Sequence, residues 1–254
     1  MLDTAQDILF VLFIVGGALL FRAILERLWP RDKRREHNDI IGWQLGILGT
    51  TYAVILGFML YTVWTDYGLA ELNADAEANA LVNIYRLAEG LPTQQQAEIR
   101  QLARAYADVV VNNDWPAMAR NDNDSLESSK INQQLWHTLM SVKAASPEQL
   151  TAEDHALYEL SALAEHRRIR QLQSTSRLPR ILWCVLIFGG AVTVISSCMF
   201  GAASGVLHAI QVFCFSLLVS LVLVAIADID RPFQGSVHVR DAAFRRAQQN
   251  MSGQ

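Results

Sequence analysis

The chain has 254 residues, of which 52% are hydrophobic and 18% charged, with a formal net charge of −4 and a mean hydropathy of +0.18. That apolar content excludes an intrinsically disordered chain, and three cysteines are too few for a disulfide scaffold. The weak net acidity argues against nucleic acid as a partner, because such binding needs a strongly basic face.

The charges are segregated along the chain. Residues 181–227 form 47 consecutive positions without Asp, Glu, Lys or Arg, residues 40–65 another 26 and residues 8–21 another 14, whereas residues 66–180 hold 16 acids and 11 bases. Crossing roughly 30 Å of hydrocarbon takes about 20 mostly apolar residues. The pattern therefore predicts an all-α integral membrane protein with four transmembrane helices and a helical extramembrane domain between the second and third spans. The expected organisation is 1–65 for the first two spans and their basic connecting loop, 66–180 for the helical domain, 181–227 for a transmembrane hairpin and 228–254 for a tail.

The first apolar block is short enough to be a signal-peptide core, but it follows an acidic start and no A-x-A cleavage site comes after it. It reads as a retained span running through Arg22 to about Leu28, with Arg22 reaching back to the headgroups. The next loop carries five bases: Arg27, Arg31, Lys33, Arg34 and Arg35. The second span is expected over residues 45–64, with Trp43, Tyr61 and Trp64 as its interfacial belt. Gly49, Ala53 and Gly57, extended by Gly42 and Gly46, form a smooth stripe suited to close helix packing. Beyond the span, Glu71, Asp75 and Glu77 form either an ordinary solvated helix face or a cation vestibule.

Residues 66–180 read as about four helices, at least two of them continuous with spans. Leu91-Pro92 ends one helix, and Thr93 to Gln96 has capping-box spacing for the next, which Asn112 to Pro116 closes. Residues 121–129 are turn-like. Ser146-Pro147-Glu148-Gln149 is a second capping box that starts a long helix reaching about Arg177, before Pro179. There is no phosphate loop, HExxH or G-x-S-x-G, so neither an enzyme nor a cofactor is expected. His155 and His166 share a face of the long helix without metal-ligand company, so no metal is expected either. Cys184, Cys198 and Cys214 fall in the last two spans and read as small packing residues.

The last apolar block divides at Gly201 to Gly205 into spans over 181–200 and 206–227. Asp228, Asp230, Arg231, Pro232 and Phe233 follow as a structural corner, in which proline stops the helix and an aspartate–arginine pair ties it to a neighbour. Nine bases flank the third span or lie in the tail, against five in the first loop. The positive-inside rule then puts both termini and residues 66–180 on the cytoplasmic side.

Several local runs carry a family resemblance. These are Asp75-Ala-Glu77-Ala-Asn79-Ala80-Leu81, Ile84-Tyr85-Arg86-Leu87, Arg34 to Asp39, Trp115 to Ala119, and the tail Asp228-Ile-Asp230-Arg231-Pro232-Phe233-Gln-Gly235. Together they resemble the bacterial bestrophin-like membrane proteins over about residues 10–246. The bestrophins proper are pentameric ion channels with a Pro-Phe segment on the cytoplasmic side of the fourth span, and Pro232-Phe233 is similar to it. The resemblance implies a pentamer in the lipid bilayer, passing ions along a pore lined by the second span. Ile55, Met59 and Val63, on a face away from the glycines, are then the candidate pore residues, closing by dewetting. Residues 234–239 contain no carboxylate, a departure from the acidic calcium clasp of eukaryotic bestrophins, and no calcium site is expected. The alternative reading is a membrane-anchored signalling or scaffold protein whose helical domain binds a partner.

Overall fold

A computed structural model of the chain describes residues 4–122 and 127–253. The turn expected over 121–129 lies partly outside them. Every regular element among the described residues is helical: α1 (Thr4–Leu28), α2 (Arg31–Arg35), α3 (Asn38–Leu87), α4 (Thr93–Val109), α5 (Trp115–Ala119), α6 (Ser128–Met140), α7 (Pro147–Thr175), α8 (Arg180–Met199), α9 (Gly205–Ile229) and α10 (Ala242–Ser252). A 3₁₀ turn follows α3 at Ala88–Gly90, and a π-helical turn, Val110–Asp114, joins α4 to α5. Four helices, α1, α3, α8 and α9, are long and apolar enough to cross a membrane. The chain is an all-α integral membrane protein.

Two compact units emerge. Among the described residues, one combines 4–65 with 177–230, and the other combines 66–122 and 127–176 with 231–253. In the membrane unit α1 packs on α8 and α9. Lipid tails are as apolar as leucine, so burial against water does not drive this association and shape must. Ala18 meets Val194, Cys198 and Val212 at one contact, where the Cys198 thiol faces the Ala18 carbonyl at 3.7 Å. At another, Tyr52, Leu56 and Val63 of α3 pack with Leu186 of α8 and with Val219, Leu223 and Ile226 of α9. Tyr52 donates to the Leu186 carbonyl at 2.9 Å, and a Cβ on Gly189 would come within 2.8 Å of its ring, one on Gly190 within 2.8 Å of its hydroxyl. The start of α3 is clamped by a reciprocal pair, Asn38 Nδ2 to the Gly201 carbonyl (2.9 Å) and the Gly201 amide to Asn38 Oδ1 (2.8 Å).

The helical unit departs from expectation at several helix ends. α4 starts at Thr93 itself with Pro92 as its N-cap and no side-chain cap hydrogen bond, so Thr93 does not hold the N-cap position that the first capping box needs. The second does form: Ser146 Oγ accepts from the Gln149 amide (3.3 Å), and Gln149 Oε1 reaches back to the Ala145 amide (2.8 Å). Asn112 to Pro116 does not close α4. The π turn absorbs an extra residue and the helical path continues into α5. Only the second span extends unbroken into the helical unit. α7 ends at Thr175 and α8 begins at Arg180, because Pro179 forces the preceding backbone out of the α region. From Arg231 onward, the tail that the sequence set apart belongs to the helical unit's core.

Candidate functional site

The second span and its extension are one 50-residue helix, α3, and its faces differ. Val63 is only 1% exposed, in contact with α8 and α9, and Ile55 and Met59 pack against the same cluster. Of the three residues expected along a pore, Val63 is thus buried against the chain's own hairpin, and Ile55 and Met59 are partly buried beside it. The reason is rotational: residues 52, 56, 59 and 63 recur at helical spacing, and Tyr52 anchors that stripe on α8. The small-residue stripe faces outward. A Cβ placed on Gly42 meets the Phe200 ring at 3.7 Å, but among the described residues nothing lies within 4 Å of one placed on Gly46, Gly49 or Gly57, and Ala53 is exposed, so from Gly46 on the stripe is open. Val54 and Tyr61, about 180° around the helix from Val63 and Tyr52, are 53% and 69% exposed.

The three acids on the extension also separate. Glu71 is exposed, and Asp75 is partly exposed and pairs with Arg246 of α10 at 2.8 Å. Glu77 is fully buried, which removes it from any acidic vestibule set. Its carboxylate takes a two-point bond from Arg170 of α7, Nε to Oε2 at 2.7 Å and Nη2 to Oε1 at 3.0 Å. The Tyr106 hydroxyl donates to the same Oε1 at 2.6 Å, and Arg170 Nη2 also lies 3.5 Å from Oδ2 of Asp114, in the π turn. The other Asp114 oxygen accepts from the Glu127 amide at 2.9 Å. Arg170, Glu77 and Asp114 are all fully buried, and the guanidinium lies over Trp115 and Phe244 at 5.6 and 5.9 Å. Burial by itself would lower the Arg170 pKa. The charge and hydrogen bonds of Glu77, helped by Tyr106 and Asp114, instead hold it above its ordinary value, so the cation is permanent.

This network went unread in the sequence, yet a signal for it existed. Glu77 sits three residues after Ala74 and four before Leu81, on the apolar stripe of α3, and Arg170 follows Leu163 by one heptad on that of α7. A charge on an apolar stripe calls for a buried partner.

The tail closes over the same core. Phe233 is 2% exposed and meets Trp115 edge to face at 5.5 Å, while Trp115 Nε1 donates to the Val239 carbonyl at 3.1 Å. The Val239 amide folds back to the Pro232 carbonyl at 2.7 Å. In the membrane unit, Asp230 Oδ1 accepts from the Leu178 amide at 2.9 Å. Asp228 lies in the last turn of α9, and Arg231 is partly exposed just beyond it. His166 forms a reciprocal pair with Asn73, while His155 is exposed on α7. No group of three or more His, Cys, Asp or Glu among the described residues has the geometry of a metal site.

Four membrane-length helices, the second running on into a helical unit whose core is tied by an ion network and closed by a Pro-Phe tail, define a recognisable class of membrane protein. The chain belongs to the Bestrophin-like family, whose domain profile matches residues 12–244. A bacterial bestrophin homologue from Klebsiella pneumoniae, solved as a point variant, has the same fold with a TM-score of 0.73 and 13% identity, over 96% of this chain and 99% of that one. A second crystal structure of that homologue, phased on zinc, gives 0.71 and 13% over the same shares. No curated protein sequence matches the chain.

Proposed function

We propose that this protein is a bestrophin-like ion channel, a homo-oligomer, most simply a pentamer, with α3 of each copy around a central axis. The observation that carries the reading is the membership of nearly the whole chain in the Bestrophin-like family, together with a fold like that of the Klebsiella homologue. The surface of α3 supports it. One face is consumed by the chain's own hairpin, and the opposite face leaves Val54 and Tyr61 uncovered. In a ring, the uncovered face meets the axis. Gly49, Ala53 and Gly57 beside it let a neighbouring copy approach closely. Val54 is then the apolar constriction that replaces the inward-turned Ile55, Met59 and Val63. Glu71 is the carboxylate available to attract cations on the extension, with Asp75 partly neutralised by Arg246. The basic flanks favour an inner-membrane orientation with both termini and the helical domain cytoplasmic.

Reconstitution in planar bilayers tests this, alongside mass determination of the purified oligomer. The expected result is a five-copy particle that conducts, with Val54→Ser raising conductance and Met59→Ala leaving it nearly unchanged. A monomer without current at any voltage overturns the channel and favours the anchored scaffold.

A further inference from the structure

One corner of the membrane unit carries more positive charge than its own residues neutralise. Arg22 of α1 donates to the Gly205 carbonyl at 2.6 Å and to His208 Nδ1 at 3.3 Å. Arg31 of α2 pairs with Glu26, which Arg22 also reaches at 3.3 Å. The Arg31 guanidinium lies so close to Gly205, the first residue of α9, that a Cβ there would come within 2.6 Å of Nη1. It therefore sits at the positive end of a 25-residue helix. Arg34 is fully buried. Its Nη1 donates to the Cys198 carbonyl at 2.8 Å, but Nε and Nη2 have no hydrogen-bond partner. Burial pushes the Arg34 guanidinium down from its ordinary pKa. Glu26 acts against this, and Arg22 and Arg31 add to it.

Three guanidiniums and a helix N-terminus thus share one carboxylate, Glu26. A buried, half-satisfied arginine is costly unless an anion completes its surroundings. Next to this group is a cavity of about 430 Å³, lined by Glu26, Arg31, Asp32 and Arg35 and by the small side chains of Ala202 and Ala203. With Asp32 and Arg35 included, the corner holds four arginines against two acids. The cavity is large enough for a phosphate group, and arginine forks match phosphate oxygens.

We infer that the α1–α2 corner against the Gly201–Gly205 turn is a binding site for a phosphate group, presented by an anionic phospholipid headgroup or as the free anion. Arg31 and Arg35 contact it from the cavity, and Arg34, buried and outside the lining, adds positive charge behind them. Nothing in this inference depends on conduction.

The test uses the full-length chain purified in a neutral detergent, with thermal unfolding as readout. One arm adds phosphatidylglycerol against phosphatidylcholine, and the other adds inorganic phosphate against chloride at matched ionic strength. A rise of several degrees in the first arm alone assigns the site to lipid, and a rise in the second assigns it to the free anion. Arg35→Gln, at an exposed position, is expected to fold normally and to need about tenfold more ligand for the same rise, a loss of about 1.4 kcal/mol. Arg31→Gln is the second variant and behaves alike. No rise with either ligand in the unaltered protein, or an undiminished rise in both variants, overturns the proposal.

Discussion

Arg170 holds two carboxylates with one guanidinium, and all three groups are fully buried. Removing the cation strands both acids. Arg170→Met is therefore expected to cost about 3–5 kcal/mol of stability, read by denaturant unfolding of the purified protein. Adding Glu77→Gln to that variant should recover part of the loss, because one stranded charge is gone. Tyr106 reports on the same space. Burial, then the nearby Glu77 charge, raises its pKa well above 10.0, with Arg170 acting the other way. A raised folded-state pKa gives stability that is complete below the unfolded value and lost as pH climbs above it. An alkaline titration followed by phenolate absorbance should therefore show Tyr106 ionising only as the protein unfolds. Tyr106→Phe should remove that step and flatten stability above about pH 10.

At the scale of elements, the decisive contact in the membrane unit is Tyr52 on the Gly189-Gly190 step of α8. The glycines serve here as space, since the tyrosine ring fills the volume a methyl would need. Gly190→Ala should displace the ring and the Leu186 hydrogen bond. The expected cost is about 1–3 kcal/mol, measured as a lower unfolding midpoint. Gly49→Ala, on the outward stripe with open space around it, should leave the unfolding of the isolated chain unchanged. The π turn is the second such element. One extra residue in the α4–α5 path coincides with the place where Asp114 turns to Arg170 and Trp115 to Phe233.

Across the whole molecule, residues 231–253 complete the core of a unit that begins at residue 66. Phe233, Val239, Phe244, Ala247 and Met251 are all buried there. Phe233→Ala should cost about 3–5 kcal/mol and expose the helical unit to limited proteolysis. Much of this architecture was legible beforehand. The four spans follow from uninterrupted apolar runs, and the α7 start from Ser146 and Pro147. The Pro-Phe tail carried the family. The buried network was not read, because its partners are 93 and 56 residues apart, and hydropathy averaged over a window treats Glu77 as one more surface acid.

By itself the sequence determined the number of membrane helices, the all-helical class and the family. These are local properties: length of apolar run, helix punctuation and short motifs. Only the tertiary structure decided which face of α3 is spent on its own hairpin, which of three acids is buried, and that Arg34 is buried with two nitrogens left without hydrogen-bond partners. Each of those depends on helix rotation and on a partner far along the chain. A rotation of half a turn would exchange Val63 for Val54 without altering a single hydropathy value.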